Sequence, residues 1–112
     1  MKDNLNDQLR KGSTAVLILA ILDKEAMYGY RISRELEKRS QGYFAMAEGL
    51  LYPALHQMEE SGLIVGEWKT VGNRRRKYYR ITTQGREYLK RATAEWKGFT
   101  SNLFEIIGGD QP

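Results

Sequence analysis

The pattern of apolar residues changes at Gly62, and that change limits the folds open to the chain. Before it, apolar side chains recur three and four residues apart. After it, "LIVGEWKTV" and "RKYYRIT" are rich in β-branched and aromatic residues and flank the pair Gly72-Asn73. Helical spacing that gives way to two strand-like runs around a Gly-Asn pair predicts helices followed by a hairpin. Thr82 or Thr83 then offers an N-cap. Ala92, Trp96, Phe99, Leu103 and Ile106 follow at spacings of four and three, which predicts a long last helix ending at Gly108, Gly109 and Pro112.

Upstream, Leu5, Leu9 and Val16 recur at helical spacing with Gly12 among them, and "STAVLILAIL" reads as a buried helix. Residues 4 to 22 fit one helix or, with Ser13 as a cap, a kinked pair. "DKEAMYG" reads as a turn. "YRISRELEKRS" sets Ile32 and Leu36 four apart with charge on the other face, a short amphipathic helix. "QGYFAMAEG" connects it to a helix from about Leu50 to Ser61 with Leu51, Leu55 and Met58 on one face. Pro53 is expected in or next to the first turn of that helix, where its missing N–H costs nothing. Three helices, a hairpin and a helix predict a mostly α fold: a winged helix-turn-helix with a two-stranded β wing and a long C-terminal dimerisation helix. Residues 1–83 would form the DNA-binding unit, N-terminal helix included, and residues 84–112 the dimerisation helix and tail.

Charge points to the partner. The chain carries 18 Lys and Arg against 14 Asp and Glu, a formal +4. Nine of those cations fall between Lys69 and Arg91 with one acid, Glu87, so the remainder of the chain is balanced or acidic. A concentrated patch is a better footprint of nucleic acid than net charge. Arginine offers fixed donors that match phosphate oxygens, and lysine acts as a point charge, which makes Arg74, Arg75 and Lys77 candidate DNA contacts. Strand alternation turns Arg76 away from the duplex. Tyr79 shares a face with Ile81 and is expected in the core. Tyr78 is expected outside, against DNA or against Trp68.

The third helix is the candidate reader, because a helix fits the major groove and its first residues reach base edges. With Leu51, Leu55 and Met58 facing the core, Tyr52, His56 and Gln57 are exposed. The Tyr52 hydroxyl can meet a phosphate and Gln57 can pair with adenine. Tyr30, at the start of the second helix, is a further phosphate candidate, while Gly29 before it permits a tight entry into that helix. His56 is the single histidine and has no partner set for a metal. The last helix, about seven turns long, is too long for so small a core to cover, and its apolar stripe suits a helix–helix seam.

Other classes are disfavoured. The sequence has no cysteine, no phosphate-binding glycine loop and no histidine cluster, so neither an enzyme, nor a cofactor, nor a metal site is expected. A protein-interaction module would keep the apolar stripe but need not concentrate charge on a hairpin. "MKDNLNDQLRKG" lacks the apolar core of a signal peptide, and Ala15 to Leu22 is too short to span a bilayer, so a cytoplasmic protein without a membrane partner is expected.

Four stretches together resemble the PadR family of bacterial transcriptional regulators, over about residues 9 to 90. "LRKGSTAVLILAIL" resembles the family's opening helix and "YGYRISRELEKRSQGYF" its second helix. "GLLYPALHQMEESGLIVGEW" resembles the recognition helix with the first wing strand, and "GNRRRKYYRITTQGREYL" the wing and the start of the last helix. The resemblance implies a homodimer that represses by binding an inverted repeat in double-stranded promoter DNA. A single C-terminal helix implies the small subclass, in which the first and last helices make the dimer. Leu5 and Leu9 would then join Ala92, Trp96, Phe99, Leu103 and Ile106 in the interface. Some small members are similar to multidrug sensors with a tryptophan in a central cavity, and Trp96 lies at the matching place. Trp96 and Phe99 would then hold a small aromatic effector; a packed seam is the alternative. Leu50 departs from the family, which commonly has Thr or Ser there.

Overall fold

The computed structural model describes residues 5–108; Asn4 at the start and Gly109 and Pro112 at the end lie outside the described residues. The element order is α1 (Leu5–Leu22), β1 (Met27–Tyr28), α2 (Gly29–Arg39), α3 (Glu48–Glu60), β2 (Ile64–Val71), β3 (Arg74–Ile81) and α4 (Thr83–Ile107). This is the mostly helical winged helix-turn-helix, with a two-stranded antiparallel wing and a long C-terminal helix.

α1 is one helix. Ser13 does not cap a second one: its hydroxyl donates back to the Leu9 carbonyl at 3.0 Å, and Thr14 does the same to Arg10 at 2.7 Å. Such back-bonding satisfies the hydroxyl without breaking the helix. The segment expected as a turn contains a short strand instead. Met27 and Tyr28 pair with Tyr79 and Tyr78, which makes a three-stranded sheet of order β1-β3-β2. Two residues are too few to show a period, so β1 exists through its partner rather than its own pattern.

α3 starts two residues earlier than expected. Ala47 is its extended N-cap, without a side-chain bond, and the Leu51 amide already donates to the Ala47 carbonyl at 3.0 Å. Pro53 therefore lies in the second turn, where it denies the Gly49 carbonyl its helical partner. Burial of Leu51, Leu55 and Met58 outweighs that loss. The connection from α2 is held from two sides. The Ser40 hydroxyl accepts from the Phe44 amide at 2.8 Å, and Arg10 of α1 donates to the Tyr43 and Ala45 carbonyls at 2.7 and 3.2 Å.

The core draws Ile18, Leu19 and Leu22 from α1, Ile32 and Leu36 from α2, the three residues of α3, and Ile64, Tyr79 and Ile81 from the sheet. α4 is fixed to it at one end. The Thr82 hydroxyl accepts from the Gly85 amide at 2.9 Å and donates to the Gly62 carbonyl at 2.7 Å. A Cβ on Gly85 would collide with the Leu63 carbonyl, so the start of α4 lies directly on the α3–β2 junction. The far half of α4 runs past the core and helps stretch the molecule to 54 Å along its longest axis.

Candidate nucleic-acid interface

The wing pairs eight residues of β2 with eight of β3, from Ile64 opposite Ile81 to Val71 opposite Arg74. Gly72, with φ of 64°, opens the two-residue turn, a conformation that favours glycine. Alternation then gives the wing two faces. Arg75 and Lys77 share the face of Tyr79. Arg75 stacks over Trp68 with 4.6 Å between its guanidinium carbon and the ring centre, and the Lys77 ammonium meets the Glu59 carboxylate of α3 at 3.0 Å. That bond raises the Lys77 pKa above its ordinary value, against partial burial. Burial raises the pKa of Tyr79 on the same face, with nearby Lys77 opposing it.

On the other face, Arg76 covers the Tyr28 ring at 4.2 Å, as alternation predicts for a residue turned from Arg75. Tyr78 packs edge-on against Tyr28 at 5.4 Å. It does not meet Trp68, which pairs with Lys77 and so belongs to the opposite face. Arg74 is exposed beside the turn.

On α3, Tyr52, His56 and Gln57 are all exposed, with the His56 ring nitrogen 3.4 Å from Glu60. They do not form one row. Tyr52 lies toward the wing: a Cβ on Gly29 would come within 2.7 Å of its ring, so the glycine at the start of α2 makes room for this tyrosine. Gln57 lies toward α1, beside Leu50, Pro53 and Met46. Leu50 is exposed, where a hydroxyl was the familiar residue. Tyr30 is 53% exposed, with its hydroxyl 3.5 Å from Arg34. The helix has Glu48, Glu59 and Glu60 but neither Lys nor Arg, so the wing brings the positive charge.

One hollow joins these elements. Tyr52 of α3, Gly29 at the start of α2, and Trp68, Arg75 and Lys77 of the wing all line it, and Tyr28 and Arg76 reach its edge from the other face. Trp68 is the residue that reading by periodicity passed over: 55% exposed, it carries Arg75 on its ring. The strand register opposite Lys77 was the signal that could have found it.

The stripe on α4 divides in two. Ala92 and Trp96 are half-buried, with the indole packed beside Gly12 of α1 and edge-on to Phe99 at 5.9 Å. Phe99, Leu103 and Ile106 are exposed, as are Leu5 and Leu9 on α1. Ile107, absent from the expected stripe, is also 63% exposed.

Residues 18–91 match the transcriptional regulator PadR-like family. The chain belongs to this family. It is 32% identical over 104 residues to the transcriptional regulator Rv3488 of Mycobacterium tuberculosis, over 90% of this chain and 92% of that one. Its fold is similar to that of a PadR-like transcriptional regulator from Bacillus cereus, with a TM-score of 0.79 and 34% identity over 92% of this chain and 99% of the other. A PadR family transcriptional regulator from Eggerthella lenta gives a TM-score of 0.81 with 29% identity, over 92% and 88% of the two chains. PadR-family proteins regulate transcription as DNA-binding homodimers and are not enzymes, which sets the class of this one. Among the described residues no helix is long and apolar enough to cross a membrane.

Proposed function

We propose that this PadR-family protein is a cytoplasmic repressor whose homodimer binds an inverted repeat in promoter DNA. The hollow shared by Tyr52, Arg75 and Lys77 carries the reading, because it brings the exposed edge of a groove-sized helix beside a basic hairpin. Residues 1–83 form the DNA-binding unit and residues 84–112 the pairing helix and tail. Arg74 and Arg75 at the wing tip hold phosphates, Tyr30 and Tyr52 hold the backbone beside α3, and Gln57 reads a base from its far edge. Lys77 belongs to the same interface, and its bond to Glu59 governs how it serves there. Phosphate contacts fix register, and base contacts specify sequence.

The two copies pair through Leu5, Leu9, Ala92, Trp96, Phe99, Leu103 and Ile106. The exposed members of that set support this, since they are apolar area that the chain's own core leaves uncovered. Two-fold symmetry then presents two α3 helices to half-sites about one helical turn apart.

A second reading adds an effector. The edge-on Trp96–Phe99 pair, with Glu95 beside it, gives a flat aromatic molecule two rings to stack on between subunits. Such a molecule releases DNA only if it favours a dimer with a different spacing of wings.

The test is a titration of two labelled duplexes with increasing salt. One is the tightest binder that the protein selects from a random pool, and the other is an unselected duplex of equal length. Affinity should fall with a log–log slope of about −0.9 per phosphate neutralised. A binding constant indifferent to salt, or no selected duplex, would overturn the reading.

A further inference from the structure

Lys77 was expected to hold a phosphate, but its position serves another task. Its ammonium is 3.0 Å from Glu59, and both side chains are only about 30% exposed, at 30% and 28%. Glu59 belongs to the last turn of α3, remote from the first turns that enter a groove. A cation there also meets the favourable end of the helix dipole. To reach it, the lysine stem crosses β2 at Gly66.

Gly66 is the second observation. It lies inside a strand, where glycine has no side chain to pack, and it is not among the residues with positive φ. Its backbone therefore does not require glycine. What glycine supplies is space for this path of the lysine stem: a Cβ at this position would collide with Cε of Lys77, which would have to move, and lie 3.1 Å from Glu59 Oε2. Glycine inside a strand marks a close approach of this kind. The third observation is the bareness of the wing. From Glu67 to Val71 β2 is exposed, so the core does not set the tilt of its outer half.

We propose that Glu59 and Lys77, meeting across Gly66, brace the wing at a fixed angle to the recognition helix, so that Lys77 is a positioning residue for sequence selection rather than a phosphate ligand. The proposal rests on the DNA-binding reading above. The wing tip grips phosphates and α3 reads bases, and only a fixed angle between them lets both happen in one register. Loosening the brace leaves the grip and blurs the reading.

The experiment compares the selected and unselected duplexes for Glu59→Gln, Lys77→Met, the double variant and Gly66→Ala, each checked as a dimer with unchanged helical circular dichroism. Each single change should lower the selected-to-unselected affinity ratio by about tenfold, the scale of one misread base pair. The double variant should lose no more than either single one, because both break the same brace. Gly66→Ala should act likewise, since it displaces the lysine stem and leaves both charges in place. The salt slope should stay as in the unmodified protein. A different pattern overturns the brace: Glu59→Gln strengthens or spares both duplexes, while Lys77→Met weakens both and reduces the slope by about 0.9. That result makes Lys77 a phosphate ligand restrained by Glu59, and it leaves the DNA reading intact. An unmodified protein without salt-dependent duplex binding overturns both.

Discussion

The wing and the far half of α4 both project beyond the core, and they are finished in opposite ways. On the wing and the strand beside it, the chain's own cations stack on aromatic rings: Arg75 over Trp68, which stays 55% exposed, Arg76 over Tyr28 of β1 and Lys69 over Tyr78. What the wing offers a partner is charge. On α4, Phe99, Ile106 and Ile107 stay exposed at 58%, 88% and 63%, with no such cover. What that helix offers is apolar area. Charge against a polyanion gives affinity that salt removes, whereas apolar burial gives affinity that salt leaves or strengthens. If these two surfaces are the DNA and dimer interfaces proposed above, salt should weaken the first and spare or strengthen the second.

The largest effect should come from breaking the apolar side. Leu103→Asp places an unpaired charge in the seam, which is expensive to bury. Sedimentation should show a dimer for the unmodified protein at micromolar concentration and a monomer for the variant. Affinity for the selected duplex should fall by about a hundredfold or more, because two linked half-sites become two separate ones. A variant that stays dimeric places the seam elsewhere.

Breaking the charged side should cost no more and act differently. Arg74→Ala with Arg75→Ala should weaken selected and unselected duplexes alike, by about tenfold per residue if each loses one charge-assisted bond. The salt slope should fall by about 1.8, and sedimentation should still show a dimer. An unchanged slope would remove the wing tip from the phosphate contacts.

These two regions also differ in how well the sequence discloses them. The hairpin announces itself through a Gly-Asn turn and a run of like charge, and α4 through a stripe at spacings of three and four. Both are local patterns. What stays hidden depends on partners distant in the chain. β1 is a strand only because Tyr78 and Tyr79 lie beside it. The bond between Glu59 and Lys77 spans 18 residues, and no periodicity reports it. Pro53 misleads for a related reason, since the helix boundary was set by Ala47 and by core burial rather than by the proline. Gly29 was legible only as a tight entry to its helix, and the ring it admits, Tyr52, emerges only when α2 and α3 pack.

A smaller effect probes the place where the apolar side meets α1. Trp96→Ala should weaken a flat aromatic effector by about tenfold, as expected for loss of one stacking ring, and change DNA affinity less, provided sedimentation still shows a dimer. Fluorescence must be followed in a Trp68→Phe background, because the wing indole under Arg75 would otherwise contribute. Linkage adds a stricter demand: DNA must weaken the effector by the same factor that the effector weakens DNA. An authenticated effector that ignores Trp96→Ala places its site elsewhere.

The smallest effect lies where α3 and the wing meet, at Tyr52. Its ring is held against Gly29, so Tyr52→Phe keeps the packing and removes only the hydroxyl. One neutral hydrogen bond is worth about 1 kcal/mol, which is about fivefold in affinity. No charge is removed, so the salt slope should not move, and this separates the variant from the arginine changes. If the hydroxyl holds a phosphate, selected and unselected duplexes should lose equally, because the backbone is the same in both. If it reads a base, only the selected duplex should weaken. Equal loss at constant slope would make Tyr52 a neutral backbone anchor between a charged wing and an acidic helix. Full affinity in Tyr52→Phe would leave the ring as packing alone.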